Sequence, residues 1–464
     1  MNECTIILLG ATGDLAKRKI IPAIYSLVAA GKLKNFLLVG AAFEKTTASA
    51  MVDQALPFIK NGNDEVLEAL KKNSAYQQLD FDNEDGFINL HALVVQHEKK
   101  HKMLENRLVY CATASSFFCV ITRHLVQSGV IKAQEKEKKP WHRIVYEKPF
   151  GHDYDSAHEI NECISQQLYE DQIYRIDHYL TKELVSNIAL VRFTNCIFEP
   201  LWNNRYIDQV QIVLSEKGCV EGRGAYYDKY GAIRDVMQNH MLELLALVAM
   251  ETPKKLTGEH IRYERAKLLK DVSAVDLCCG QYEEYKKSPG VAPDSTTETF
   301  AMAYLRVDNP RWAGVPFYLK TGKCLDKKET VIYIKFKKVD CLLTKGCPQD
   351  SNYLTISVMP EAGFSLSLNV KKPGELYEVI PVNMEFCHSC LFEEKTAEAY
   401  EVLIEEVMRG EQSISVRFDE IEYAWKVIDE LRALEASLYT YKADTPGPIE
   451  CDIFGKKHGM RWRS

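Results

Sequence analysis

The stretch TIILLGATGDLAKRK (Thr5–Lys19) decides how the first part of the chain folds. An unbroken apolar run ends at Gly10 and gives way at once to a helix-compatible pattern. Such a run, bounded by glycine, reads as a strand buried on both faces. Gly10 and Gly13 have G-x-x-G spacing, and Ala16 is the third small residue. Glycines in a strand-to-helix turn let backbone approach a pyrophosphate, and the helix N-terminus stabilises its charge. Glycine turns also join strands to helices with no ligand in view. Placed directly after a buried strand, this one predicts a dinucleotide cradle lined by Gly10, Thr12, Gly13, Asp14 and Leu15.

Outward from the turn, the helix-like segment through Leu33 is expected to kink or restart at Pro22, because proline lacks the amide that would continue the ladder. NFLLVGAA (35–42), RLVYCAT (107–113) and RIVYEKP (143–149) read as further strands. Strands alternating with helices imply a parallel sheet covered on both faces. Beyond Asn187 the texture changes. QVQIVLSE (209–216) alternates like a half-exposed strand, and GAIRDVMQNHMLELLALVAME (231–251) has a long helical pattern. TFAMAYLRV, VPFYLKTG, TVIYIKFKKV, YLTISVM and FSLSLNV then follow as strands between turns. The predicted architecture is an α/β Rossmann-like dinucleotide-binding domain over 1–177. A larger α+β domain with a broad, mainly antiparallel sheet is expected over 178–464.

The 464 residues, 46% hydrophobic and 27% charged, suit a soluble protein of two or three domains. A net charge of -7 argues against nucleic-acid binding. Apolar runs are shorter than a membrane span, and a secretory start is not apparent, so a cytoplasmic location and reduced thiols are expected. Of the fourteen cysteines, Cys387 and Cys390 flank His388 with metal-like spacing. A zinc site needs four ligands, and no second pair follows at suitable spacing, so ordinary thiols are expected there.

The end of the second strand distinguishes the two nicotinamide dinucleotides. There an acid bonds the adenine ribose, or an arginine pairs with a 2′-phosphate. This chain reads GAAFEKTT, with Glu44 and no arginine. Glu44 repels a 2′-phosphate and accepts from ribose hydroxyls, while Lys45, Lys17 and Arg18 keep positive charge nearby. NAD and NADP both stay open.

RIDHYLTKE (175–183) crowds acid, imidazole, phenol and lysine into mid-chain. It could be a solvated charge cluster. Together with GATGDLAKRKIIPAIYSL, YEKPFGHD, GAYYDKYGAIRDVMQNHMLELLALVAME, WAGVPFYLKTGKCLDKK, AYEVLIEEVMRG and YKADTPGP, in that order, it resembles the glucose-6-phosphate dehydrogenases. The resemblance spans nearly the whole chain. It implies oxidation of D-glucose 6-phosphate at C1 to 6-phospho-D-glucono-1,5-lactone, with hydride passed to NAD or NADP. This is the first step of the oxidative pentose phosphate route. It assigns His240 as the base and Asp177 as its partner. His178, Tyr179, Lys182 and Lys328 would hold the phosphate, and Lys148, Glu216, Asp235 and Lys323 the sugar. Lys148 would also touch the cofactor, Pro149 would be cis, and the chain would form a homodimer or homotetramer through its large sheet.

The chemistry is independently sensible. Removing a hydroxyl proton near neutral pH suits histidine, and a carboxylate on its other nitrogen fixes the tautomer. A regular helix would put Val236, His240 and Leu244 on one face. The same spacing would project His178 and Lys182 from one turn. Lysine, imidazole and phenol suit a phosphate dianion. Departures from the family pattern are Phe43 for arginine, Ser115 for proline, Thr181 for glycine and Lys320 for arginine. Two alternatives share the architecture: a dehydrogenase of another sugar phosphate, and a catalytically silent dinucleotide sensor.

Overall fold

Two compact units, each assembled from discontinuous chain, make up the computed structural model. The first comprises Met1–Thr181, Lys254–Tyr263 and Thr396–Glu422, and the second Lys182–Pro253, Glu264–Lys395 and Tyr423–Ser464. The expected division at Asp177 is linear, whereas the first unit also takes in two later segments. The structure describes residues 3–60, 62–134, 139–177, 179–180, 183–338, 351–374, 378–387, 390 and 398–463.

In the first unit, β1 (Glu3–Leu9), β2 (Asn35–Ala42), β3 (Ser74–Gln78), β4 (Arg107–Cys111), β5 (His142–Glu147) and β6 (Ile173–Ile176) form a parallel sheet. Its order is β6-β5-β4-β1-β2-β3, and the short strand Ser415–Val416 pairs antiparallel with β6. Central β1 is buried almost throughout, as its unbroken apolar run requires. After Gly10 the chain turns into a helix whose Ala16–Ile20 portion is π-helical, followed by α-helix Ile21–Ala29. Pro22 supplies no amide to the carbonyl four residues back, which accounts for the looser turns before it. Helix Ala399–Arg409 joins this core: Leu403, Ile404 and Val407 pack in one cluster with Ile6, Leu8 and Tyr110. The Arg143 guanidinium bonds the Val407 and Met408 carbonyls at 2.7 and 2.8 Å.

The second unit is built on β7 (Ile207–Ser215), β8 (Val272–Tyr282), β9 (Phe300–Val307), β10 (Pro316–Gly322), β11 (Glu329–Phe336), β12 (Tyr353–Met359), β13 (Gly363–Lys371) and β14 (Val379–Cys387). Their order is β14-β13-β12-β11-β7-β10-β9-β8, closed by strand Leu438–Tyr441 beside β8. Most pairs are antiparallel; β7 with β10 and β8 with Leu438–Tyr441 are parallel. The broad, mainly antiparallel sheet expected from the alternating runs is present. The parallel β7–β10 pair matters most, because both strands end at the same edge.

The long helix carrying His240 departs from expectation. Residues Ile233–Met241 are π-helical, and regular α-helix begins at Leu242. Four-residue stacking of Val236, His240 and Leu244 is therefore corrected, although all three remain buried. Asn239 gives a local cause. Its side chain donates to the Asp235 carbonyl at 3.1 Å and accepts from the His240 amide at 2.6 Å, competing with the regular ladder.

Cysteines 119 and 163, 219 and 324, and 387 and 390 lie close together, with Cα separations of 5.8, 4.6 and 5.2 Å. His388 and Ser389 lie outside the described residues.

Candidate active site

The first unit carries the nucleotide half. Gly10 sits at φ +79°, and a Cβ there would strike the Ala112 carbonyl. Its amide bonds the Ala41 carbonyl at 2.8 Å, and the Gly13 amide closes the turn on the Gly10 carbonyl at 2.9 Å. A glycine-only conformation between two strand ends thus brings bare backbone to the sheet's carboxyl edge. Leu15 and Asp14 begin the helix, and Asp14 binds Lys17 at 2.9 Å and Arg18 at 2.8 Å. The Lys17 bond, assisted by Arg18, holds the Asp14 carboxyl below its ordinary range. Arg18 also lies 4.9 Å from the Phe58 ring centroid. The cradle and first helical turn fit a pyrophosphate.

Thr12 turns its hydroxyl toward the end of β2. Its Oγ1 donates to Glu44 Oε2 at 2.5 Å. That bond is the main cause of the lowered Glu44 carboxyl pKa. The segment is fixed from β3, where Tyr76 Oη donates to the Glu44 carbonyl and Gln78 Nε2 donates to that of Phe43. The Phe43 side chain is 68% exposed.

Two further strand ends carry polar groups. Lys148 follows β5 and precedes a cis Pro149. Asp177 follows β6 and is buried; its Oδ1 accepts the Tyr179 amide at 2.8 Å, and its carbonyl accepts that of Leu180. This turn holds carboxylate and Tyr179 together. His178, Thr181 and Lys182 lie outside the described residues.

Sequence reasoning missed a neighbouring cluster. Glu147 accepts hydrogen bonds from Tyr110 on β4 and Tyr400 on the Ala399–Arg409 helix. Burial raises the Glu147 carboxyl to about 7 against those two phenols and Lys148, and the nearby Asp177 charge adds to the rise. Alternation along β4 and β5 faces Tyr110 and Glu147 the same way, but nothing local indicates Tyr400.

The second unit carries most of the residues expected to hold the sugar. Glu216 follows β7, Lys323 follows β10, and Lys323 Nζ meets Glu216 Oε1 at 2.7 Å. Lys323 Nζ also lies 5.1 Å from the Tyr227 ring centroid. Asp235 and His240 are buried in the π-helical segment, which packs against β10. Tyr226 Oη donates to Asp235 at 3.3 Å. Glu298, also missed from sequence, accepts the Ile233 amide at 3.0 Å. Gly231 adopts φ +65° beside it, where a Cβ would meet the carboxylate. Lys328 is exposed between β10 and β11. Of the assigned pair, Asp177 belongs to the first unit and His240 to the second.

Residues 7–187 match the family model of the glucose-6-phosphate dehydrogenase NAD binding domain, and residues 189–463 that of its C-terminal domain. The chain belongs to the glucose-6-phosphate dehydrogenase family. It is similar to glucose-6-phosphate 1-dehydrogenase of Bacillus subtilis (strain 168), at 38% identity with 99% of this chain and 98% of that one covered. It is also 39% identical to cytoplasmic glucose-6-phosphate 1-dehydrogenase 5 of Arabidopsis thaliana, over 99% of this chain and 93% of that one. A solved glucose-6-phosphate dehydrogenase in complex with its substrate glucose-6-phosphate is 32% identical, with TM-score 0.90 and coverage of 100% and 99%. This family member is an oxidoreductase with an N-terminal dinucleotide-binding domain, as the opening turn indicated. Among the described residues, no cluster of three or more His, Cys, Asp or Glu could hold a metal ion, and no helix is long and apolar enough to cross a membrane.

Proposed function

We propose that this glucose-6-phosphate dehydrogenase oxidises D-glucose 6-phosphate to 6-phospho-D-glucono-1,5-lactone with the following division of labour. His240 takes the C1 hydroxyl proton, and Asp177 orients the imidazole and stabilises its charge. Glu216, Asp235, Lys323 and Lys148 bind the sugar hydroxyls. Tyr179 and Lys328, with His178 and Lys182, bind the phosphate. A bound nicotinamide dinucleotide supplies the hydride acceptor. The carrying observation is the sugar half itself: buried His240 and Asp235 lie on a segment packed against β10, whose end presents the Lys323–Glu216 pair.

The test is nicotinamide reduction, followed by absorbance, with glucose 6-phosphate, glucose and galactose 6-phosphate. Rapid reduction with the first alone is expected. No reduction by folded protein with any of them removes the proposal, and preference for another sugar phosphate moves it to the neighbouring specificity.

For the cofactor, the reading favoured is NAD over NADP. It is supported by the Glu44 carboxylate, held toward the cradle by Thr12, and by the absence of arginine at Phe43. A homodimer or homotetramer through the large sheet is supported by Leu368, Val370, Val382 and Met384, exposed on one face of the β13–β14 pair. A cytoplasmic location remains the reading for this chain.

A further inference from the structure

Strands β7 and β10 run parallel and in register to Ser215 and Gly322. The loops leaving them are laced together: the Glu216 amide bonds the Gly322 carbonyl at 2.9 Å, Leu325 the Glu216 carbonyl at 3.0 Å, and Cys324 the Gly218 carbonyl at 3.1 Å. Each loop carries a cysteine close to a proposed sugar ligand, Cys219 after Glu216 and Cys324 directly after Lys323. Their Cα atoms are 4.6 Å apart, within the span a disulfide bridges.

The two sides are unequal. Cys324 is 2% exposed and holds φ +54°. Its turn is anchored by Tyr441 Oη on the Lys323 carbonyl at 2.8 Å and by the Asp444 amide on the Cys324 carbonyl at 2.9 Å. Residues 217–219 are exposed, and a Cβ built on Gly218 would meet nothing within 4 Å. An attacking group can reach Cys219, while its partner waits beneath in a fixed position.

We propose that Cys219 and Cys324 form a reversible disulfide, made by exchange with a small-molecule disulfide such as oxidised glutathione, that tightens sugar-phosphate binding. The Cys219 thiolate attacks one glutathione sulfur, breaking the glutathione S–S bond and releasing one glutathione thiolate. The Cys324 thiolate then attacks Cys219 Sγ and expels the second. Two protein thiols are oxidised, one glutathione disulfide is reduced to two thiols, and the protein's two protons pass to the thiolates or solvent. The closed link ties the exposed loop carrying Glu216 to the anchored turn carrying Lys323, so the free site loses less freedom on binding. The other close pairs, 119–163 and 387–390, adjoin none of the proposed sugar ligands in sequence. The effect on binding rests on the assignment of Glu216 and Lys323 as sugar ligands.

The full-length protein is equilibrated with glutathione mixtures of varied oxidation, then alkylated and mapped by peptide mass spectrometry. Calorimetric titration with glucose 6-phosphate runs in parallel. The 219–324 linked peptide is expected to grow with oxidation, and the dissociation constant to fall by about fivefold or more. By reciprocity, added glucose 6-phosphate shifts the thiol–disulfide midpoint by the same factor. Cys219→Ser should keep the reduced affinity in every mixture, and Cys119→Ser should keep the response. No linked peptide in any mixture, or a link that leaves affinity unchanged, overturns the proposal. If the link forms but neither state binds glucose 6-phosphate, the ligand assignment falls, and control of its binding falls with it.

Discussion

Thr12 Oγ1 donates a 2.5 Å hydrogen bond to Glu44 Oε2, tying the glycine turn to the end of β2. A 2′-phosphate brought to this edge would meet a carboxylate, whereas ribose hydroxyls would meet an acceptor. We therefore predict higher kcat/KM with NAD than with NADP. Replacing Phe43→Arg with Glu44→Ser should move the NADP/NAD ratio upward by about tenfold or more, equivalent to about 1.4 kcal/mol. A ratio that does not move would relocate cofactor choice away from β2.

His240→Ala should lower turnover by about 10²–10⁴-fold, with glucose 6-phosphate affinity nearly unchanged. Stopped-flow measurement of dinucleotide reduction checks the first part, and calorimetry the second. Turnover near that of the parent protein would reject the assigned base.

Gly231→Ala tests the entry to the helical segment. Gly231 has φ +65°, and the added methyl would collide with the carboxylate that holds the Ile233 amide. A loss of about 1–3 kcal/mol in urea unfolding is expected. Turnover should fall as well, because the same segment carries Asp235 and His240. Unchanged stability and turnover would mean that Glu298 moves aside freely.

Glu147 should leave a pH signature. Its folded-state pKa is raised from 4.5 to about 7, chiefly by burial. Between those values the folded protein holds a proton that the unfolded chain has released. Stability from this group is therefore fully present below about 4.5 and is lost as pH rises through 7. The melting temperature of Glu147→Gln relative to the parent should increase from pH 4 to pH 8. A flat difference would show that the carboxylate is solvated.

Met384→Glu together with Val382→Glu should reduce the mass measured by light scattering, because both side chains are exposed on the same face of β14. Burying two unpaired charges would be costly in an apolar interface. An unchanged mass would place the contact elsewhere.

Much of this was legible in sequence, for identifiable reasons. The TIILLG run could be read because a strand buried on both faces needs continuous apolar residues, and Gly10 because no side chain fits its turn. Glu44 was readable from its position at the end of β2, but its bond to Thr12 was not, since it joins residues from separate elements. Glu147 with Tyr400, and Ile233 with Glu298, were hidden for the same reason. The π-helical turns escaped because a four-residue pattern of apolar side chains tolerates an occasional wider turn. Asn239 looks in sequence like any polar helix residue until its amide is seen bonding at both ends.

The Ala399–Arg409 helix has a consequence for synthesis on the ribosome. Leu403, Ile404 and Val407 belong to the same core as Ile6 and Leu8, so that core is complete only once residues 399–409 have been made. Until then the apolar side chains that this helix covers lack part of their packing. A chain cut short before Ala399 would lack the helix that completes this core.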